Sequence, residues 1–250
     1  MSIKEEIVQA GGLLKEAFAG DFAHEEKARF ELVSEWDILI EEKLIRWIRK
    51  TYPDDSIYAE ESGEYPGTSI SRWIIDPIDG TTNFVMGKPF FSVSVARESN
   101  GIVTEAYVYN PVSDELFWTT ETDESAFLNG QVIRCSKTDT IEAALVAFGF
   151  SARVNSIKKY TDNWGKVWDS CRKGVGWVSP ALSICNVARG RVDLFVDYGA
   201  SSEGQSAASA ILQKAGGVCL NIDFTEYSFL TEGIVCTNAA LLPVVQKEMA

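Results

Sequence analysis

Apolar residues recur every three or four positions from Ile3 to Ala19, placing Ile3, Ile7, Ala10, Leu14 and Phe18 on one stripe of an amphipathic helix. The same period predicts a second helix from about Trp36 to Lys50, with Ile40, Leu44, Trp47 and Ile48 turned inward and Tyr52-Pro53-Asp54-Asp55 ending it. Between them His24-Glu25-Glu26-Lys27-Ala28-Arg29 has no apolar period and reads as a polar turn or loop. Tyr58-Ala59-Glu60-Glu61-Ser62 is a short strand ending in paired acids, and Trp73-Ile74-Ile75 reads as a buried strand. The period then shortens to two over Phe91 to Arg97, Ile102 to Tyr109, Glu115 to Thr120, Ser125 to Leu128 and Gln131 to Arg134. Turns such as Ser99-Asn100-Gly101 and the hairpin signal Asn129-Gly130 separate these strands. From Ala144 the style changes to alternating units. Strands are predicted at Ala144 to Phe150, Val192 to Asp197, Val218 to Leu220 and Ile234 to Thr237. Helices are predicted at Val154 to Cys171, Pro180 to Arg189, Gln205 to Lys214 and Asn238 to Met249, with Pro180 in a first-turn position. The expectation is an α/β chain in which helices pack on an antiparallel meander (1–140) and an alternating half (141–250) completes one compact unit. Its seam lies near 137–143, and no repeat or low-complexity linker interrupts it.

The strand at Trp73 runs into Asp76-Pro77-Ile78-Asp79-Gly80-Thr81-Thr82. Pro77 lacks an N–H and fixes its own φ, so the chain is expected to leave the sheet there. Asp79 returns a second carboxylate near Asp76, Gly80 permits a tight turn, and Thr81-Thr82 open a short helix whose free amides suit a phosphate. Two hard carboxylates beside a phosphate-shaped pocket make a divalent-metal phosphate site. The same string is also ordinary turn chemistry. Its neighbours decide: Leu32-Val33-Ser34-Glu35-Trp36-Asp37 upstream, the Glu60-Glu61 pair, Asn83-Phe84 directly after, and Ala215-Gly216-Gly217 near the end. In order and spacing these segments resemble the inositol monophosphatase family of metal-dependent, lithium-sensitive sugar phosphatases, over nearly the whole chain.

That resemblance implies a layered αβαβα fold, with an antiparallel N-terminal sheet and a second, mixed sheet. It makes Glu60, Asp76 and Asp79 metal ligands together with the carbonyl of Ile78, an oxygen-only set that selects Mg2+ (two or three ions, with Mn2+ as a substitute) and disfavours zinc. Asp37 and Thr81 match the water-activating pair, with Glu60 beside them. The amides of Gly80, Thr81 and Thr82 would hold phosphate oxygens. Ser34 or Asp37 could equally be an N-cap for the second helix, and Glu61 is expected at the surface or in a salt bridge. The lone His24 matches no motif and sits among acids, so direct attack by water is expected rather than a covalent intermediate.

One departure concerns the second metal. Members of the family carry a Trp-Asp pair before a small-residue helix, and counting back from Ala215-Gly216-Gly217 places that Asp at Gly204. Glu203, or the amide of Gln205, could reach the same ion; a weakened second site and lost catalysis are the alternatives. Asp197 matches a substrate-hydroxyl contact, and Ser179 falls where small residues adjoin the sugar, although Val178 and Pro180 depart from the pattern. The implied reaction is hydrolysis of inositol monophosphate or a similar small polyol or sugar phosphate. Fructose-1,6-bisphosphate, histidinol phosphate and adenosine 3',5'-bisphosphate are alternative substrates. A regulatory binding protein with weak activity is the reading from another class, because some bacterial relatives engage the transcription machinery.

Composition adds boundaries. Thirty-six acidic residues against 23 basic ones, a net charge of −13, argue against direct nucleic-acid binding and leave an anionic substrate to be drawn by bound cations. Cys135, Cys171, Cys185, Cys219 and Cys236 form no CxxC pair and read as reduced thiols. No apolar run reaches membrane-spanning length and the start lacks a leader-like apolar stretch, so a cytoplasmic protein without a membrane partner is expected. The family's habit implies a homodimer.

Overall fold

Ser2 starts the first helix by a capping box: its amide donates to the Glu5 carboxylate (2.7 Å) and its hydroxyl accepts from the Glu5 amide (3.4 Å). The computed structural model describes residues 2–20, 24–28, 31–150, 156–199, 202–227 and 233–249. The first half comprises α1 (Ile3–Phe18), β1 (His24–Ala28), β2 (Glu31–Ser34), α2 (Glu35–Thr51), β3 (Ser56–Ala59), β4 (Gly63–Tyr65), β5 (Ser71–Asp79) and α3 (Thr81–Val85). The meander follows as β6 (Ser92–Ser99), β7 (Ile102–Asn110), β8 (Glu115–Thr120), β9 (Ala126–Leu128) and β10 (Gln131–Ile133). After a 3-10 turn at Ile141–Ala143 come β11 (Leu145–Phe150), α4 (Ser156–Ser170), β12 (Lys173–Trp177), α5 (Pro180–Ala188) and β13 (Leu194–Tyr198). The chain then forms α6 (Ser202–Lys214), β14 (Gly217–Asn221), β15 (Gly233–Asn238) and α7 (Leu242–Met249).

Two sheets organise these elements. One has eight strands in the order β10-β9-β8-β7-β6-β5-β3-β4; the other has five in the order β12-β11-β13-β15-β14. The larger is antiparallel except that β3 runs parallel to β5, with Ala59 opposite Ile75. The smaller is mixed, β11 lying parallel to β12 and β13 while β15 runs antiparallel to β13 and β14. Three apolar cores set the layers. Ile7, Leu14, Ile40, Leu44 and Ile48 of α1 and α2 pack on Trp73, Ile75, Val93 and Val95. The opposite face of that sheet (Ile74, Ala96, Val108, Phe117) meets α5 and α6, whose other sides meet Phe195, Ile234 and Cys236 of the smaller sheet. Tyr160, Trp164 and Val167 of α4 and Val245 of α7 cover its outer face. The order is helix, sheet, helix, sheet, helix, the expected αβαβα layering.

Several expectations change. His24–Ala28 is a strand, paired antiparallel with β2 from His24 opposite Ser34, not a polar turn. Its strand character rests on backbone pairing with β2, which requires no apolar alternation in its own sequence. Pro77 does not end β5: the strand continues to Asp79, which pairs with Ser92 after a register shift between Asp76 and Asp79. A bulge accommodates a residue that cannot donate to the ladder. The short strands β4 and β12 were not anticipated, and α6 begins at Ser202, earlier than expected.

Candidate active site

Alternation along β5 sends Trp73 and Ile75 toward α1 and α2 and leaves Ile74 and Asp76 facing the central helices. Asp76 is therefore a carboxylate in an apolar wall, 2% exposed, and its Oδ1 has no hydrogen-bond partner. Burial pushes its carboxyl well above the ordinary range, and the neighbouring charges of Glu60, Asp79 and Asp37 push it further. Glu60 is brought alongside by the parallel pairing of β3 with β5, its amide donating to the Ile75 carbonyl at 3.1 Å.

The bulge turns Asp79 toward the second half of the chain. Its Oδ2 accepts from the Ser179 hydroxyl, from the Ala181 amide (3.2 Å) and from the Ser92 hydroxyl (3.4 Å). Asp79 thus caps α5, and burial still pushes its carboxyl up to about 6 against those hydrogen bonds. Gly80 follows with φ +95°, and a Cβ there would stand 2.8 Å from the Val178 carbonyl oxygen. Asn83 fastens the same junction, donating to the carbonyls of Phe90 (2.7 Å) and Val178 (2.8 Å). At five residues α3 is too short for an appreciable macrodipole, so Gly80, Thr81 and Thr82 offer turn amides rather than a dipole end.

Ser34 is the N-cap of α2, and Asp37 completes its capping box while also reaching Thr81. It is the third residue of α2, behind the N-cap Ser34, and its Oδ2 accepts from the Ser34 amide (2.7 Å) and hydroxyl (2.6 Å). Its Oδ1 accepts from the Thr81 hydroxyl (3.1 Å), which also lies 3.0 Å from the Ile78 carbonyl. Burial lifts the Asp37 carboxyl to about 6, with the Ser34 bonds opposing. With its proton shared between those two acceptors, Thr81 has oxygen lone pairs left to receive a hydrogen bond from water.

Ser179 is fully buried and spends its hydroxyl on Asp79, placing it behind a carboxylate. Asp197, on β13 facing the central layer, has an unpartnered Oδ1 and a carboxyl raised by burial and then by the charge of Asp79. Gly149 makes room for it: a Cβ there would meet that carboxylate at 2.3 Å. Glu203 and Gly204 belong to the backbone of α6, but the Glu203 side chain lies outside what the structure describes. Gln205, 1% exposed, has neither amide atom hydrogen-bonded. Sequence reasoning missed Glu41. This buried acid, one turn beyond Asp37, accepts from the amides of Glu61 (2.8 Å) and Ser62 (3.0 Å) and so holds the loop that carries Glu60. Its signal was an acid inside the apolar stripe Ile40, Leu44, Ile48.

Among the described residues no group of three His, Cys, Asp or Glu side chains stands close enough to hold a metal ion unaided. The donors nonetheless fit a hard cation. Asp76 has an orphaned oxygen, the adjoining acids repel it, and Mg2+ characteristically takes one or two carboxylates and completes its shell with water and phosphate oxygens.

A family model described as the inositol monophosphatase family matches residues 2–250. Nus factor SuhB of Pseudomonas aeruginosa is 36% identical over 240 residues, 90% of this chain and 86% of that protein. Inositol monophosphatase 2 of Solanum lycopersicum is 33% identical over 241 residues, 93% of this chain and 91% of that protein. An IMPase structure from Thermotoga maritima superposes with a TM-score of 0.88 at 30% identity, covering 98% of this chain and 94% of that one. The extragenic suppressor protein suhB of Bartonella henselae gives 0.92 at 27% identity, covering 98% and 95%. With relatives that bear the name Nus factor, the exclusion of nucleic acid drawn from net charge is not kept. No helix among the described residues is long and apolar enough to cross a membrane.

Proposed function

The chain belongs to the inositol monophosphatase family, and from that premise we propose that it is a Mg2+-dependent phosphomonoesterase acting on inositol monophosphate or a similar small polyol or sugar phosphate. The observation that carries this is Asp76: a buried carboxylate with a free oxygen, pressed by Glu60 and Asp79, in want of a cation. Glu60, Asp76, Asp79 and the Ile78 carbonyl would hold the ion. Once bound, Mg2+ or Mn2+ supplies positive charge for the phosphoryl oxygens and acidifies a water. The rest falls to the chain. Asp37 accepts the Thr81 proton, Thr81 orients the attacking water through its free lone pairs, and the turn amides of Gly80, Thr81 and Thr82 receive phosphate oxygens. Asp197 and Gln205, with unpartnered buried oxygens, suit the hydroxyls of a polyol. Lithium sensitivity, weakened at Gly204, belongs to the same proposal.

The test is Asp76→Asn, which keeps size and removes charge. Phosphate release should fall by several orders of magnitude, and the Mg2+-induced rise in melting temperature should vanish while the fold survives. A folded Asp76→Asn protein with wild-type turnover would refute the assignment. A panel of inositol monophosphate, fructose-1,6-bisphosphate, histidinol phosphate and adenosine 3',5'-bisphosphate, with and without Mg2+, fixes the substrate. A second reading, a regulatory protein, is favoured by the Nus factor name of several relatives and by Gly204. Mg2+-dependent turnover of any member of that panel at enzymatic rates counts against a purely regulatory role.

A further inference from the structure

Beneath α6, two thiols face each other between neighbouring strands of the smaller sheet. Cys219 of β14 and Cys236 of β15 are direct register partners, and their Sγ atoms stand 3.3 Å apart. Directly opposed residues of an antiparallel pair have Cα atoms about 4.5–5.5 Å apart, inside the range of about 4.4–6.8 Å that a disulfide spans. Closing the bond needs only side-chain rotation. Both residues lie in the core beneath α5 and α6, but not equally sealed: Cys236 is fully buried and Cys219 is 4% exposed. Cys219 lines a cavity of about 380 Å³ together with Thr119, Thr120, Ser209, Gln213 and Lys214. That volume is several times what a water-sized molecule needs.

We propose that Cys219 and Cys236 form a reversible dithiol–disulfide pair, oxidised by a small hydroperoxide that reaches Cys219 through this cavity.

The roles follow from the hydrogen bonds. The Cys236 thiol donates to the Cys219 sulfur, and Ser209 of α6 lies 3.5 Å from it on the other side. These contacts hold the Cys219 thiol below its usual range, whereas burial pushes Cys236 up. Cys219 is therefore the attacking sulfur and Cys236 the resolving one. In the first step the Cys219 thiolate attacks a peroxide oxygen. An S–O bond forms, the O–O bond breaks, and the departing hydroxide (alkoxide, for an organic peroxide) leaves as water or alcohol after taking up a proton. In the second, the Cys236 sulfur attacks the Cys219 sulfenic acid, the S–S bond forms, and the S–O bond breaks to release water. Two thiols lose two electrons, which reduce the peroxide, and an external dithiol returns them by exchange. Among the described residues no three-thiol metal site competes for this pair.

Hydrogen peroxide applied to the full-length protein provides the test, at a dose that converts the exposed Met86 to its sulfoxide. Remaining thiols are then alkylated and the peptides mapped by mass spectrometry. The expected result is a Cys219–Cys236 disulfide that dithiothreitol reverses, and, in Cys236→Ser, a Cys219 sulfenic acid trapped by a 1,3-diketone probe. Recovery of both cysteines as free alkylated thiols in the wild-type protein overturns the proposal, as does a bond that joins either one to Cys135 instead. Neither result depends on turnover, so the outcome stands apart from the phosphatase assignment.

Discussion

Replacing Glu41 by Ala removes a side chain that touches no substrate atom, and its effect measures how firmly the loop after β3 is held. Glu41 is 3% exposed, and its two carboxylate oxygens accept from the amides of Glu61 and Ser62 at 2.8 and 3.0 Å. Hydrogen bonds to a charged group contribute about 1.5–3 kcal/mol each, so the pair contributes about 3–6 kcal/mol gross. Two effects reduce that figure: the variant no longer buries a charge, and Glu61 is half-buried and Ser62 exposed, so water reaches their amides. A net loss of about 3 kcal/mol is expected, which for a chain of this length lowers the melting temperature by about 6–12 °C. The Glu60 amide keeps its own bond to Ile75, so the acid is loosened rather than expelled. The Mg2+ requirement for phosphate release should therefore rise about tenfold, equivalent to about 1.4 kcal/mol, with a smaller fall in saturated turnover. Glu41→Gln should recover less than half of the stability, because its amide group accepts one N–H and turns its own N–H₂ toward the other. Thermal melts with and without Mg2+, paired with a Mg2+ titration of phosphate release, read both effects. A Glu41→Ala protein within 1 °C of wild type (roughly a third of a kcal/mol) and with unchanged Mg2+ dependence would refute the reasoning.

The carboxyls of Asp37 and Asp79, raised to about 6 from an ordinary 3.8, give the metal-free protein a distinctive pH response. The folded state holds more protons than the unfolded chain between those values, so stability is greatest below about 4 and is lost as pH rises through about 6, by about 3 kcal/mol per group. Urea melts in EDTA at pH 4 and pH 7 should show most of that loss, with Mg2+ reversing it at pH 7 and Asp37→Asn shrinking it; equal stability at both pH values in the wild type counts against a crowded carboxylate site. Gly80→Ala should cost at least about 2 kcal/mol and nearly all activity, since it forces a left-handed residue onto the Val178 carbonyl, and a near-normal melt would show that the junction yields. Glu203→Ala should raise the Mg2+ requirement if the acid stands in for the ligand missing at Gly204, and Gly204→Asp should recover part of the loss; Mg2+ curves superimposable on wild type would make Glu203 a surface acid.

The stripes of α1 and α2 were legible because each helix presents one face to a core, whereas β6 and β7 bury both faces and were marked instead by short β-rich runs bounded by turns such as Ser99-Asn100-Gly101. His24–Ala28 was not legible, because backbone pairing with β2 is what makes it a strand, and that leaves no periodic signal in a polar segment. Lys173–Trp177 was hidden by its glycines: Gly174 leaves space for the Trp168 ring and has no side chain to register a pattern. At the site, the local string from Asp76 to Thr82 was legible, because its turn chemistry and ligand chemistry lie within seven residues. What holds it was not. The Ser179 hydroxyl lies 100 residues from Asp79, and Glu41 lies 20 residues before the loop it secures, so both depend on packing that no local window contains.

Those long-range bonds also decide how the site is built. Asp79 lies on the bulged end of β5, yet its partners are the hydroxyl and amide that open α5. Gly80 and Asn83 close on the Val178 carbonyl from the same side. Had Asp79 only to bind a cation, a solvated carboxylate would serve and the site could sit on the first half alone. Because it also caps a helix of the second half, the Asp79 carboxyl is held in place by the fold before any ion arrives, and its crowding against Asp76 is built in when the chain folds. A site that must fold with its carboxylates opposed favours a cation wherever one is available. On the proposed function, a phosphoryl group would complete what the two halves of the chain each leave unfinished.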